Sequence, residues 1–511
     1  MTLLGHSRVQ PEPVFTPATN RAVALLAIVA FSVRWAIATN SGFWRDEALF
    51  LAITRLPSWH QMIDFLRFHE SHPPLFYILM RLWNGLLGNS DRSSVLLPVV
   101  VGAMLIPAMF LAGTILYSRR AGLIAAGLAA LSPPLADHSA FVRPYSLLPL
   151  LALAGSCLLV LAMEKGGWRL WSSYAVTLAA LVFTHNWSFL VVAGHAVSIA
   201  AWTATNPQHR RRIVRESTAA FAAAGIVYLP WIPALLFQFR NAGNAPLDVP
   251  DSFRLVRILG FTLWVLFRST ITGSADASGR AIIVCSLIVA VGLAMVGFIA
   301  KTRARRGANI SHGVVPTSSS SRQRLATFVG LITVAVPILA ALSLSWHSNL
   351  LVGRCVVMLA PLVLLQASHW VDGQWSRRAN EPGIVWIAGA LGVLVIANYS
   401  TGLIRLIDAP RSNVRELAAS LSEMTRSSDL VIVMPGWLAS SFNYYYKMPV
   451  EQIDFPESGR LDTFDFARVW DRMAAAETFQ SATIRIKRAR RDGRRVWLVT
   501  DPGYLKPLSE R

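Results

Sequence analysis

Residues 21–48 read RAVALLAIVAFSVRWAIATNSGFWRDEA. From residue 22 to residue 40 the stretch is apolar apart from Arg34 and a few small polar residues. It is long enough to cross a hydrocarbon core of about 30 Å as a helix. Just beyond it come Trp44, a residue suited to the membrane–water boundary, and two adjacent acids, Asp46 and Glu47. A spanning helix that delivers paired carboxylates to one membrane face sets the class of protein to expect. The whole chain agrees. Its 511 residues are 54% hydrophobic and only 15% charged, against roughly 25% charged in a soluble chain. Mean hydropathy is +0.45, which excludes a single water-soluble domain. The net charge of +20 would suggest nucleic acid in a soluble protein. Here most basic residues sit in short loops between apolar blocks, where they set membrane orientation, and no nucleic-acid partner is expected.

The fold class expected is an α-helical polytopic membrane protein with about 11 transmembrane helices. The blocks lie near 22–40, 94–116, 121–142, 145–163, 170–186, 188–204, 217–237, 281–300, 325–346, 350–370 and 383–402. Alternate connections hold Arg119 and Arg120, then Lys165 and Arg169, then Arg210, Arg211, Arg212 and Arg215. Next come Lys301, Arg303, Arg305, Arg306, Arg322 and Arg324, then Arg377 and Arg378. The positive-inside rule makes that side the cytoplasm, together with residues 1–21. Those first residues lack a secretory signal's charged start and cleavage site, so the first block is expected to stay uncleaved. Residues 307–324, ending GVVPTSSSSRQR, read as a flexible cytoplasmic loop.

The loop 41–93, the turn 137–144, the segment 238–280 and a polar tail, 403–511, then lie outside. Nine of the 14 acids before residue 403 fall on this outer side. Pro73–Leu87 (PPLFYILMRLWNGLL) is too short to span comfortably and reads as a helix lying in the outer interface. Residues 251–269 have the same look. Fourteen of the 28 acids lie in 403–511, so the tail is different material, read as a small extracytoplasmic α/β domain. Asn413 starts a helix to about Ser427, Asp429–Met434 and Val496–Thr500 are strands, and Phe464–Arg490 is helix-compatible. Cys157, Cys285 and Cys355 have no metal-ligand spacing, so neither a disulfide framework nor a zinc site is expected.

Several outer residues carry candidate chemistry. A carboxylate near low-dielectric lipid has its pKa raised by desolvation, which suits a general base in the adjacent pair Asp46 and Glu47. The competing explanation is a helix start whose first turn favours acids. Glu70-Ser71-His72-Pro73-Pro74 opens the interfacial helix, and a helix start with a nearby His is either a phosphate site or a bare start with a solvated His. Asp137, His138, Arg143 and Tyr145 share one tight outer turn; Arg143 either works in a site there or snorkels from a helix end. Arg354 begins the tenth block near the outer face, where burial of a charge in lipid is expensive and suggests function. Arg34 is expected to snorkel, and Asp408, Arg411 and Arg415 to be solvated surface.

In the order WRDEA (44–48), HPPLFYILMRLW (72–83), LSPPLADHSAFVRPYSLL (131–148) and GRCVVMLAP (353–361), the chain resembles the GT-C superfamily of integral-membrane glycosyltransferases. It is closest to the group of protein O-mannosyltransferases, aminoarabinose transferases and rhizobial galacturonosyltransferases. The openings of the tail, NVRELAASL and DLVIVMPGW, look like bacterial members. The resemblance implies a GT-C-like catalytic domain over 22–402. It implies a polyprenyl-phosphate-linked sugar donor and an acceptor glycan, lipid or protein, met at the outer face of a bacterial inner membrane. It makes Asp46 the base, with Glu47 holding the acceptor or aligning Asp46. It places His72 beside the donor phosphate and assigns phosphate binding to Arg143 and Arg354, with Arg92 next. Relatives often carry a Lys or Glu after HPPL; here Phe76 and Tyr77 stand there, so phosphate binding is expected to fall on the arginines. Glu70, Asp137, His138 and Tyr145 are pocket residues. No metal or other cofactor is called for. The competing class is a transporter or flippase of lipid-linked sugars, which would favour paired halves and ionisable groups at mid-membrane.

Overall fold

The computed structural model describes residues 16–241, 318–344, 356–378, 382–455 and 476–501. Helix α1 (Pro17–Thr39) is followed by three short helices, α2 (Arg45–Thr54), α3 (Trp59–Phe68) and α4 (Leu75–Leu87). Then come α5 (Asp91–Leu116), α6 (Arg119–Leu131), α7 (Pro133–Ser139), α8 (Leu147–Lys165), α9 (Trp168–Thr184) and α10 (Ser188–Thr205). They continue with α11 (Arg210–Tyr228), α12 (Ile232–Asn241), α13 (Ser318–Leu344), α14 (Ala360–Arg378) and α15 (Pro382–Asp408). Among the described residues, six helical segments are long and apolar enough to cross a bilayer: Pro17–Thr39, Asp91–Leu116, Leu147–Lys165, Ser188–Thr205, Pro207–Arg240 and Ser320–Ala341. The expected span 281–300 and the segment 251–269 lie outside the described residues.

The basic connections gather at one end of this bundle. Arg322 pairs with Glu164 at 2.7 Å, and Arg212 donates to the Met163 carbonyl at 2.9 Å. Ser118 and Arg120 both reach Asp372, and Arg119 donates to the hydroxyls of Thr16 and Thr19. Residues 318–324 were expected in a loop but form the first turns of α13, held there by the Arg322–Glu164 pair. The helices also pack closely. A Cβ on Gly113 would sit 2.5 Å from the Cα of Gly122, so α5 and α6 meet backbone to backbone, as small residues allow in membranes.

The expected span 121–142 is interrupted. Helix α6 stops at Leu131, because Pro133 and Pro134 have no N–H to give the carbonyls of Ala129 and Ala130, four residues back. Arg34 of α1 supplies both. Its Nη2 donates to Ala129 O at 3.2 Å and its Nη1 to Ala130 O at 3.3 Å, with Ala30 O at 3.1 Å. The side chain is fully buried. It therefore does not snorkel; it caps the end of a helix whose dipole also favours a cation. Gly102 of α5 makes room, since a Cβ there would collide with Ser139 and stand 3.3 Å from Arg34 Cδ.

The loop 41–93, expected on the outer side, holds more structure than the one helix expected. Helix α4 matches Pro73–Leu87 closely, but α2 and α3 precede it. Helix α2 buries Glu47, Ala48, Leu49, Phe50, Leu51, Ile53 and Thr54; its run of apolar residues has no amphipathic period because it is covered on several sides. Helix α4 buries Phe76, Tyr77, Met80 and Asn84 and exposes Leu82, Leu86 and Leu87. Tyr77 and Phe76 pack on Phe50 of α2, with ring centres 4.2 and 5.6 Å away.

The tail contains α16 (Val414–Met424), β1 (Leu430–Met434), α17 (Ala439–Tyr445), β2 (Glu451–Asp454), α18 (Ala476–Arg491) and β3 (Val496–Thr500). The strands pair in parallel in the order β2-β1-β3, with Ile432 opposite Ile453 and Leu498. Strand β1 is buried on both faces, as a central parallel strand must be. Val431 and Val433 meet α16 and α17, and Leu430 and Ile432 meet α18. Strand β2 (EQID) gave no sequence signal; it is too polar, and Arg485 and Arg494 balance its Glu451 at 3.2 and 2.7 Å. Asp429, at the head of β1, is buried. Burial alone would raise its pKa, but Arg495 at 2.7 Å, the Arg426 N–H and the Trp497 indole hold it at about 2.

Two predictions follow from these contacts. Arg34→Met should leave two buried carbonyls unpaired and lower the thermal midpoint in detergent, by about 2–4 kcal/mol of stability; an unchanged midpoint would refute the capping role. Asp429 has a folded pKa below its unfolded value near 4, so its contribution is present above that pH and lost as pH falls toward 2. Midpoints of Asp429→Asn measured from pH 5 to 3 should vary less with pH than those of the parent.

Candidate active site

The site begins with how α2 starts. Trp44 is its N-cap, and the Glu47 carboxylate turns back so that Oε2 accepts the Trp44 N–H at 3.0 Å. Its other oxygen, Oε1, accepts the N–H of Val142 at 2.9 Å. Arg411 Nη1 stands 4.0 Å from the same oxygen, Arg411 Nη2 donates to Ala140 O at 3.0 Å, and its guanidinium lies 4.0 Å over the Phe141 ring. One buried carboxylate thus ties the loop 41–93 to the turn between α7 and α8. Burial raises the Glu47 pKa, and Asp46 adds to that, while Arg411 and the two N–H donors oppose it.

That tie brings Arg143 to Asp46. Arg143 Nη1 donates to the main-chain oxygen of Asp46 and to the Tyr77 hydroxyl, each at 3.4 Å. Its Nη2 stands 3.2 and 3.3 Å from the two ring nitrogens of His72. His72 Nδ1 is 2.6 Å from Glu70 Oε1, which also accepts the Ser71 N–H at 3.0 Å. A carboxylate only accepts, so Nδ1 carries a proton and Nε2 is the ring atom open to Arg143. Burial works against the Glu70 charge, but the His72 bond, His72 and Arg143 outweigh it and hold the Glu70 pKa low. Burial likewise opposes the Arg143 charge, while Tyr77, Tyr145, Glu70 and Asp46 raise its pKa. Among the described residues, none of the groups that Arg143 bonds is a carboxylate, although the residue is only 4% exposed. Arg143 Nε, Glu70 Oε2 and Asp137 Oδ1 are buried without hydrogen-bond partners among the described residues.

Aromatic rings wall the cluster. His185 stands edge-on to His72 at 5.0 Å and 6.1 Å from Tyr145, and His138 stands edge-on to Tyr145 at 5.9 Å. His138 Nδ1 donates to Pro134 O at 2.8 Å. The Asp46 side chain is 13% exposed, with its Oδ1 3.4 Å from Arg45 Nε.

The structure therefore joins Asp46, Glu47, Glu70, His72, Arg143, Tyr145 and His138 in one neighbourhood, with Asp137 on the same short helix as His138. Arg92 stands exposed on the first turn of α5, and no hydrogen bond that assembles this cluster among the described residues involves it. Arg354 lies outside the described residues. Arg411, expected to be solvated, is a partner of Glu47; its distance in sequence hid this. Tyr77, which with Phe76 stands where relatives often carry a Lys or Glu, accepts a bond from Arg143. His185 was missed, although an ionisable residue at the break between two apolar blocks was a usable signal. Among the described residues, no three His, Cys, Asp or Glu side chains gather as a metal site.

Comparison with known proteins adds the following. The family model for dolichyl-phosphate-mannose-protein mannosyltransferases matches residues 71–237. No curated protein sequence matches the chain. Among solved structures, ArnT from Cupriavidus metallidurans in the apo state is 12% identical, with a TM-score of 0.51 over 86% of this chain and 87% of that one. The oligosaccharyltransferase of Archaeoglobus fulgidus is 13% identical, with a TM-score of 0.50 over 86% of this chain. The chain covers 64% of that protein's length. At such identities the likeness is one of fold.

Glu47→Ala removes the acceptor of two buried N–H groups. It should cost about 2–4 kcal/mol of stability in detergent melts. Hydrogen exchange should rise in residues 140–146 as well as at the start of α2; a rise confined to α2 would contradict the tie to Val142.

Proposed function

The chain has the membrane fold of the GT-C glycosyltransferases, and on that fold we propose that it moves a sugar from a polyprenyl-phosphate donor to an acceptor hydroxyl. The reaction takes place at the outer face of a bacterial inner membrane. The matched family's own description names a polyprenyl-type phosphate donor, and the charge pattern of the loops supports an outer site. The observation that carries the reading is Arg143: a buried guanidinium that, among the described residues, bonds to no carboxylate and is held within hydrogen-bond reach of the Asp46 main chain and of His72.

In this reading Asp46 takes the proton from the incoming hydroxyl as that oxygen attacks the anomeric carbon. The bond to the phosphate oxygen breaks on the opposite face, so the centre inverts. Negative charge grows on the departing polyprenyl phosphate. Arg143 stabilises it, since its planar fork and permanent charge suit a phosphate, and the water-poor surroundings strengthen the interaction. Glu70 fixes the proton of His72 on Nδ1, which leaves Nε2 as the ring acceptor for Arg143 at 3.3 Å. Glu47 aligns Asp46 rather than gripping the acceptor, because both its oxygens are already bonded. Arg354 is assigned to the same phosphate on the sequence motif alone. The acceptor hydroxyl belongs to lipid A, an envelope glycan, a glycolipid or a protein.

The test is mass spectrometry of envelope lipids and glycans from cells with the gene intact, deleted, or carrying single variants. A sugar-bearing product should disappear on deletion. Asp46→Asn should fold normally and lower product formation by about 10²- to 10⁴-fold; Arg143→Lys should lower it by about 10²-fold. Full product from Asp46→Asn removes Asp46 as the base. Lipid flipping by proteoliposomes without sugar transfer would favour a flippase.

A further inference from the structure

The tail domain reaches the site through Asp91, at the opposite end of the outer loop from Asp46. Asp91 accepts three bonds from the tail: Tyr444 OH to Oδ1 at 2.9 Å, and Arg415 Nη2 and Tyr445 OH to Oδ2 at 3.2 and 3.3 Å. Arg415, expected to be solvated surface, keeps a side chain 39% exposed but also pairs with a carboxylate and rests against the loop. The Tyr445 hydroxyl, having donated its proton to Asp91, accepts the N–H of Phe43 at 2.9 Å. Ser441 Oγ donates to Phe43 O at 2.6 Å, and Arg415 Nη2 also reaches Ser41 O at 3.1 Å. Both backbone groups of Phe43 are therefore held by side chains from residues some 400 positions away, and its ring packs on Tyr444 and Tyr445 with centres 5.1 and 6.3 Å apart.

Phe43 is three residues from Asp46 and directly precedes the N-cap of α2. Two further contacts act on the same turn. Trp437 of the tail lies 5.8 Å from the Arg45 guanidinium, whose Nε is 3.4 Å from Asp46 Oδ1. A Cβ on Gly42 would stand 3.1 Å from Arg415 Cβ and 3.2 Å from its N, so the first turn of α16 rests against the chain just before α2. On its other side, Glu47 locks α2 to Val142. The turn that carries Asp46 is thus gripped from the membrane bundle on one side and from the tail on the other.

We propose that the C-terminal α/β domain is a positioning element for the Asp46 carboxylate, acting through Tyr445, Arg415 and Asp91 on the main chain of residues 41–43. This rests on the reading of Asp46 as the base. Tyr445 touches neither Arg143 nor His72 in any hydrogen bond above, so its loss should disturb alignment of the base and spare donor-phosphate binding. Small displacements of a catalytic group are costly in rate.

The experiment compares full-length parent, Tyr445→Phe, Asp91→Asn and Asp429→Asn. The last weakens the tail at β1, away from Phe43 and Asp91. Three quantities are read: gene-dependent envelope product by mass spectrometry, binding of undecaprenyl phosphate to the purified protein, and hydrogen exchange of a peptide spanning 41–47. Tyr445→Phe and Asp91→Asn should lower product by about 10-fold, leave undecaprenyl phosphate binding within about twofold of the parent, and raise exchange in 41–47. Asp429→Asn should change none of the three. Unchanged product in Tyr445→Phe and Asp91→Asn, or an equal fall in Asp429→Asn, overturns the positioning role while Asp46 stands as the base. Unaltered exchange in 41–47 overturns it as well. Full product from Asp46→Asn overturns the underlying reading instead, and the exchange result still decides whether the tail fixes this turn.

Discussion

A backbone carbonyl inside a membrane bundle has no water to turn to, so a helix break there must be satisfied by protein. The Ser132-Pro133-Pro134 sequence imposes such a break and strips two carbonyls of their donors. Arg34 meets that need from a neighbouring helix. The rest of the candidate site follows from the break. The chain leaves α6, runs through α7, and enters the turn 140–146 that presents Val142 and Arg143 to the first outer loop. A continuous helix over 121–142 would have carried these groups past the level at which α2 begins.

The second constraint is electrostatic. Buried charges are tolerated when each is bonded and balanced. Glu47 is balanced by Arg411 and two N–H donors, and Glu70 by His72 and a backbone donor. Arg143 differs: its bonds go to a carbonyl, a phenol and an imidazole. Its charge is supported by nearby groups without being quenched by direct contact, which is what an anion-binding position needs. The tyrosine at 77 takes part in that support, so the departure from the motif after HPPL changes how the arginine is held rather than removing it.

The family match and the geometry cover different parts of this neighbourhood. Residues 71–237 include His72, Tyr77, Arg143, Tyr145 and His185. Asp46, Glu47 and Glu70 lie before that segment, and Arg411, Arg415 and the tail lie after it. Arg143 and His72 thus lie inside the matched segment, whereas the base and its alignment lie outside it and stand on contacts: one hydrogen bond from Arg143, one carboxylate shared with Val142, and a tyrosine hydroxyl on Phe43.

The sequence by itself determined the membrane class, the segregation of basic loops, the α/β character of the tail and the short motifs that hold Asp46, His72 and Arg143. Each of these is written in local composition or in spacing along a single element, where period and charge can be read directly. Only the tertiary structure decided that Arg34 is buried, that Arg411 and Arg415 serve the outer loop, that a polar tetrapeptide forms β2, and that His185 and Tyr77 join the cluster. The reason is physical: those outcomes depend on partners 21 to 374 residues away, and an arginine's role is set by which carbonyls or carboxylates the fold brings to it, not by its neighbours in the chain.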